Sequence, residues 1–188
     1  MNYENHIKEF KVANVQMMQY LLSKQGGLDP MIVVLVKESN DEMNIVAVPV
    51  PGEFLHDDQT KDVLAGAIPS LLGMLAKQGK EPVCFSFSSE AWLRKTPEGV
   101  TEVPDNWKDL PKTECMISSY ESADASDMEV FEIIRKGKMA NEDGDLIDAI
   151  VLRPHSIEVD GKKPKALKGR FFGVFKEFYK MRQNEKAN

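Results

Sequence analysis

Residues 84–95 read CFSFSSEAWLRK and alternate with the two-residue period of a β-strand. With the preceding valine, the odd positions are mainly apolar, and they are Val83, Phe85, Phe87, Ala91 and Leu93. The even positions are mainly polar or amphipathic, and they are Cys84, Ser86, Ser88, Glu90, Trp92 and Arg94. Because the two sets lie on opposite faces of a strand, the odd face predicts a core, whereas the even face needs a separate explanation.

The sequence on both sides of this strand predicts an α+β fold. The predicted strands cover 31–38, 43–50, 82–95, 114–121, 128–136 and 146–153, and a short strand at 156–159 is an alternative to a turn. The predicted helices cover 3–25, about 58–78 and 166–183, and the segment 96–112 reads as an ordered, irregular loop. Short connections between strands predict a mostly antiparallel sheet of about six strands. We expect the first two helices to cover one face of it, and the continuously apolar strands 31–38 and 43–50 to lie near its centre.

Charge divides the chain into two parts. From Asp160 onward nine basic and three acidic residues give a net charge of +6, whereas the 15 basic and 27 acidic residues before it give −12. We therefore expect a single α+β domain over 1–160, followed at 161–188 by a basic hinge and an amphipathic C-terminal helix. An acidic body argues against nucleic-acid binding, because contacts to phosphate dominate such affinity.

The composition is that of a globular protein: 42% of the 188 residues are hydrophobic and 29% are charged. The polar N-terminus does not resemble an export signal, and the two cysteines favour a reducing compartment. No apolar run approaches the roughly 20 residues that a membrane span requires. These features predict a protein of the cytoplasm, or of the inside of a larger particle, without a membrane partner.

The even face of the opening strand is the first candidate site. Glu90, Trp92 and Arg94 form a polar patch that fits an anionic or planar ligand, with Arg94 supplying charge, Trp92 stacking and Glu90 a base or hydrogen-bond acceptor. The charged residues available on neighbouring strands are Glu114, Glu132 and Arg135. We include Arg135 among the predicted ligand-binding residues. The alternative is that these residues form cross-strand ion pairs beside an aromatic lid.

The C-terminal helix is the second candidate site. Its aromatic residues are Phe171, Phe172, Phe175, Phe178 and Tyr179. Its interleaved basic residues are Arg170, Lys176, Lys180 and Arg182. One interpretation is that the helix packs on its own domain; the other is that it docks on another chain, as a helix-in-groove element.

No motif in the sequence indicates catalysis or a cofactor. The three histidines, His6, His56 and His155, are far apart, and the spacing of Cys84 and Cys115 is not that of a metal site, so we expect no metal. We expect both cysteines to be small core or subsurface residues on neighbouring strands. The acidic stretch NEDGD (141–145) lacks the calcium-loop pattern and predicts an acidic hairpin turn.

A strand ending in SEAWLRK, a proline-containing loop and a strand such as ECMISSYES together resemble a group of uncharacterised proteins from phage and prokaryotic genomes. The resemblance covers roughly residues 82–136 and rests mainly on Ser89, Glu90, Ala91 and Trp92. It implies a phage or mobile-element gene, hence a cytoplasmic protein or one carried within a phage particle. It implies no particular activity.

We therefore predict a non-enzymatic protein–protein interaction or assembly protein that self-associates or docks through its C-terminal helix. The alternative is a small ligand-binding or hydrolytic protein that uses the face formed by Glu90, Trp92 and Arg94. An interface predicts an exposed apolar patch, whereas a ligand site predicts polar groups that converge in a pocket.

Overall fold

The structure, a computed structural model, describes residues 3–94, 105–155 and 171–187. Its helices are α1 (Glu4–Gln25), α2 (Asp58–Lys77) and α3 (Val174–Ala187). Its strands are β1 (Met31–Lys37), β2 (Met43–Pro49), β3 (Glu81–Arg94), β4 (Lys112–Ser122), β5 (Ser126–Ala140) and β6 (Leu146–His155). Short 3-10 turns occupy Gly52–Leu55 and Trp107–Asp109.

The six strands form one antiparallel sheet in the order β2-β1-β3-β4-β5-β6. This confirms the predicted α+β fold with a six-stranded antiparallel sheet. The chain crosses from β2 back to the centre through α2, so that β3 pairs with β1. From β3 onward each strand pairs with the next one along the chain. Short turns join β4 to β5 and β5 to β6, whereas the longer segment 95–111 joins β3 to β4.

The helices cover both faces of the sheet, so the prediction that the first two cover a single face is wrong. Helix α1 packs on the face that carries Val33 and Leu35 of β1, whereas α2 and α3 pack on the face that carries Val34 and Phe85. The physical reason lies in β1, whose odd and even positions are both apolar, so each face needs its own apolar cover. The even face of β3 therefore lies on the α1 side.

Strand β2 lies at an edge of the sheet, which corrects its predicted central position. Five of the seven residues of β1 are buried, whereas none of those of β2 is, and 44% of the Ile45 side chain is exposed. Both strands are continuously apolar, so composition alone does not separate them. The separation comes from pairing, because β3 adds to the free side of β1 and leaves β2 with one neighbour.

Helix α3 packs on the body of the same chain. Gly173 and Val174 donate their backbone N–H groups to the two carboxylate oxygens of Glu121 on β4, both at 2.9 Å, and so hold the start of the helix on the sheet. The helix predicted over 166–183 begins later, at Val174, and ends later, at Ala187, because residues 171–173 form a turn in which Gly173 adopts φ of 89°. Residues 166–170 of that prediction, the basic hinge before them, the predicted strand at 156–159 and loop residues 96–104 lie outside the described residues.

Among the residues that the structure describes, no helix combines the length and the apolar character needed to cross a membrane.

Candidate functional site

The first half of the even face of β3 is structural. Ser86 and Ser88 are buried beneath α1, where Asn14 donates to the Ser88 hydroxyl at 3.1 Å and to the Tyr120 hydroxyl at 3.1 Å. Ser88 in turn lies 2.8 Å from the Ser118 hydroxyl of β4. Buried polar groups stabilise a fold when they find partners. Ser88, with the Ser86 hydroxyl 3.3 Å from its own, therefore provides the polar contact between β3 and α1.

The second half of this face holds a charged cluster around Arg135 of β5. Arg135 forms a bidentate pair with Glu114, in which its Nε lies 3.1 Å from Oε2. Its other contacts are longer, at 3.9 Å to Glu90 Oε1 and 3.9 Å to Asp148 Oδ2. Lys138 lies 2.8 Å from the second oxygen of Asp148. Three carboxylates thus converge on one guanidinium, an arrangement that the planar arginine head favours.

Glu90 and Glu114 have pKa values that shift in opposite directions. Burial raises the pKa of Glu90, and the neighbouring Glu114 adds to this, although Glu90 also accepts the backbone N–H of Leu28 at 3.0 Å. The hydrogen bonds from Arg135 lower the pKa of Glu114. Since Arg135 pairs closely with Glu114, it does more for that carboxylate than for Glu90.

Arg94 lies apart from this cluster. Its Nη1 donates to the carbonyl oxygens of Lys108 and of Leu110, the latter at 2.8 Å, and its guanidinium lies 5.4 Å from the ring centre of Trp107. The predicted ligand-binding set is therefore divided, with Glu90 and Arg135 in one cluster and Arg94 in another. Their role in ligand binding stays a prediction.

The two tryptophans of the chain lie near Arg94, at the end of the sheet where β3 ends and β4 begins. Both are exposed, Trp92 at 59% and Trp107 at 44%. Cations lie over both rings, with Lys112 at 5.9 Å from the centre of Trp92 and Lys108 at 5.9 Å from that of Trp107. We call the set Trp92, Arg94, Trp107, Lys108 and Lys112 the tryptophan patch. Cations over indole faces are favourable contacts even at exposed sites.

Sequence reasoning found Trp92 and Arg94 but missed the other three members of the patch. Lys112 joins it because the β3–β4 register places it opposite Arg94, and Trp107 joins it because the turn before β4 folds back onto Arg94. For Trp107, the one signal in the sequence was that a tryptophan lies in a proline-containing loop. Register is a long-range property that local patterns do not reveal.

The aromatic residues of the C-terminal helix lie against the body of the same chain. Phe175 and Phe178 are buried, at 1% and 0% exposure, and Phe175 stacks on Phe85 at 5.9 Å between ring centres. Phe171 stacks on Phe87 at 4.0 Å. Phe172 and Tyr179 are partly buried. In this arrangement the first of the two interpretations of the helix applies; contact with another chain stays a prediction and would require these rings to leave the core.

Beside the tryptophan patch, the β5–β6 hairpin forms an arm that we define as residues 136–149. Its β5 half is exposed from Lys136 to Ala140, and the backbone bends at Gly137, with φ of 101°, where the register with β6 shifts. The predicted acidic turn at 141–145 is present: Asn141 accepts the backbone N–H of Asp145 at 2.7 Å. This turn is the tip of the arm.

Cys84 and Cys115 are buried free thiols on the neighbouring strands β3 and β4, as predicted. Burial raises the pKa of Cys84 to about 12 and also raises the pKa of Cys115. Neutral, buried thiols are unreactive as nucleophiles. Within the described ranges, no three His, Cys, Asp or Glu side chains gather in a way that could hold a metal ion.

In comparisons with known proteins, this chain matches no family model, no curated protein and no solved structure.

Proposed function

We propose that this chain is a non-enzymatic protein–protein interaction protein and that the tryptophan patch is its contact surface. The observation that carries the proposal is the exposure of both tryptophans, at 59% and 44%, at one end of the sheet. Indoles leave a large apolar area in water, and tryptophan is enriched among the residues that dominate binding energy at protein interfaces. The proposal keeps the predicted class of function but moves the contact surface away from the C-terminal helix.

The charges of the patch favour an acidic partner. Arg94, Lys108 and Lys112 all lie over indole faces, so an acidic side chain that approaches the rings meets a cation beside each of them. The same turn also carries two exposed acidic residues, Asp105 and Asp109. Complementary charge of this kind sets specificity and the rate of association, while burial of the indoles supplies affinity.

The position of α3 in the core supports placing the contact surface on the tryptophan patch instead of on the C-terminal helix. Phe175 and Phe178 are committed to the core of their own chain, and Glu121 holds the helix start. Moving these two rings out of the core would cost the free energy of their burial, about 1.5–3 kcal/mol for each phenylalanine. The exposed tryptophans carry no such cost.

The small-ligand or hydrolytic alternative draws support from the opposite pKa shifts of Glu90 and Glu114, a pattern that acid–base pairs in enzymes display. The small-ligand alternative is weakened because Glu90 and Arg94 already have hydrogen-bond partners within the chain. Glu90 Oε2 already accepts the Leu28 N–H, and Arg94 is bonded to the turn before β4. Among the described residues, ion pairs and a loop contact thus account for the whole cluster, and we place the interaction proposal first.

The setting that we propose is the cytoplasm, or the interior of a phage particle. Both cysteines are free thiols, which suits a reducing compartment. The resemblance of residues 82–136 to phage and prokaryotic proteins points the same way.

The experiment is site-specific photocrosslinking in the cells where the chain is naturally made. A photoreactive phenylalanine replaces Trp92, and in a matched control it replaces Met181, which is 41% exposed on α3 at the opposite end of the sheet. We expect discrete protein adducts from position 92, identified by mass, at several times the yield from position 181. Equal yields from the two positions, or no protein adduct from position 92, would overturn the proposal.

A further inference from the structure

We infer that the partner of the tryptophan patch is a second copy of this chain, and that the tip of the β5–β6 arm of each copy seats on the patch of the other. The inference deepens the proposed function and rests on it. It assigns one occupant to the patch, from charge, apolar surface and position in the sheet.

The first support is charge complementarity. The tip carries three acidic residues, Glu142, Asp143 and Asp145, and all three are exposed. The patch carries three cations over its indole rings. The tip is a formed turn, in which Gly144 adopts φ of 86° and donates its N–H to the Asn141 carbonyl at 3.0 Å. A pre-formed turn loses little conformational entropy when it docks.

The second support is apolar surface on the arm itself. Met139 and Leu146 flank the tip and are 51% and 75% exposed. They lie on opposite faces of the hairpin, because Met139 pairs with Ile147 and Leu146 pairs with Ala140. Leu146 is the more exposed of the two and follows Asp145 directly, so it is the aliphatic side chain that the tip can place beside the exposed indoles of the patch. Each surface thus offers both halves of the contact that the other needs.

The third support is the position of the two surfaces. The paired β4–β5 register ends at Cys115 and Glu132, and β5 continues to Ala140. Strands β3 and β5 run in the same direction, because both pair antiparallel with β4. Trp92, near the end of β3, and the tip, which follows the end of β5, therefore lie at the same end of the sheet.

The two surfaces lie at the same end of the sheet, so two copies related by a two-fold axis can exchange arms. Each copy then both gives a tip and receives one, which closes the assembly at two chains. The contact occurs twice in such a dimer, so the dimer buries twice the area of a single tip on a single patch.

The test begins with the purified full-length chain. We expect its mass in solution, measured by light scattering over increasing concentration, to rise from that of one 21.2 kDa chain to that of two. Because the patch holds both tryptophans, quenching of their fluorescence by iodide should fall over the same concentrations. We expect the dissociation constant to increase on the order of tenfold or more from low to high salt, because the charges are exposed.

Charge reversal then identifies the two surfaces. Lys108→Glu with Lys112→Glu reverses the patch, and Glu142→Lys with Asp143→Lys reverses the tip; we expect each double variant alone to be monomeric. Mixed one to one, they should form a heterodimer, because the acidic patch of one meets the basic tip of the other, and the acidic tip meets the intact basic patch. The matched control is Lys176→Glu with Lys180→Glu on α3, which changes the net charge by the same amount and should leave dimerisation unchanged.

Three results would overturn the inference. The first is a wild-type chain that stays monomeric at high concentration, with tryptophans that iodide still quenches. The others are a dimer that neither double variant dissociates, and a mixture of the two double variants that does not restore the dimer. The proposed function fails separately, through the photocrosslinking experiment. Adducts to a different protein at position 92, with a monomeric purified chain, would leave the proposed function standing and remove the inference.

Discussion

At the residue scale, the arginine at position 135 shows how one side chain sets the ionisation of two others. Its close bidentate pair with Glu114 lowers that pKa, whereas Glu90, at 3.9 Å and partly desolvated, keeps a raised pKa. A carboxylate with a lowered folded-state pKa contributes stability above its unfolded pKa, and the contribution is lost as the pH falls. A raised pKa has the opposite sign, since ionising that group in the fold costs free energy.

The two glutamates should therefore respond differently to substitution. We expect Glu114→Gln to lower the free energy of unfolding by about 1–2 kcal/mol at pH 7 and by less at pH 3, because the contribution of a carboxylate with a lowered pKa falls as the pH drops below its unfolded pKa. Glu90→Gln should be nearly neutral at pH 7, because it removes the ionisation cost and keeps an acceptor for Leu28. Urea unfolding of both variants and the parent at pH 3, 5 and 7 measures this. Equal losses from the two variants at pH 7 would contradict it.

At the element scale, the alternation in residues 83–94 predicted β3 and its two faces, because strand geometry is local. Three other features were not predictable in this way. They are which face of β3 meets α1, the pairing of Arg94 with Lys112, and the contact of Arg135 with Glu114. Each depends on register between strands, and register is chosen by the whole sheet. The same limit explains why β1 and β2, which are alike in composition, take central and edge positions.

The start of α3 offers a test at this scale. Glu121→Ala should lower the free energy of unfolding by about 1–3 kcal/mol, because the N–H groups of Gly173 and Val174 lose their acceptor in a largely buried site. Glu121→Gln, which keeps one acceptor oxygen, should lose less. The control, Glu177→Ala on the exposed side of α3, removes a surface pair with Lys180 and should change stability by less than about 0.5 kcal/mol. Denaturant midpoints report all three, and a Glu121→Ala value as small as the control would mean that the cap does not hold the helix.

At the scale of the whole molecule, α3 completes the core on the α2 side of the sheet. Phe175 and Phe178 belong to the same buried cluster as Ile68 and Leu72 of α2 and Phe85 of β3. The five aromatics that made the C-terminal segment a candidate interface thus include two of the most buried side chains of the fold. The sequence pattern correctly predicted an apolar face on the C-terminal helix, but it did not predict that the body of the same chain covers this face.

Phe178→Ala separates a core role from an interface role. We expect a loss of about 3–5 kcal/mol in the free energy of unfolding, from lost burial and the cavity left behind, with no change in the salt dependence of any dimer. Trp92→Ala is the matched comparison, since it removes a large exposed ring and should affect association rather than stability. Thermal unfolding and light scattering distinguish the two variants. A stable Phe178→Ala chain that loses only its association would favour the C-terminal helix as the contact surface.

The polar contacts between α1 and the sheet form only after a delay, because the chain is synthesised from its N-terminal end. Helix α1 leaves the ribosome before the strands on which it packs, and Asn14 meets Ser88 only 74 residues later and Tyr120 only 106 residues later. At translation speeds of about 5–20 residues per second, that interval is roughly 5–20 s. During it, the face of α1 with Phe10, Met18 and Leu22 can contact only the strands already made, of which β1 belongs to the same cluster. The polar partners of Asn14 are absent until the β3–β4 pair is complete. Until then, the uncovered part of this face is available to chaperones or to another nascent chain.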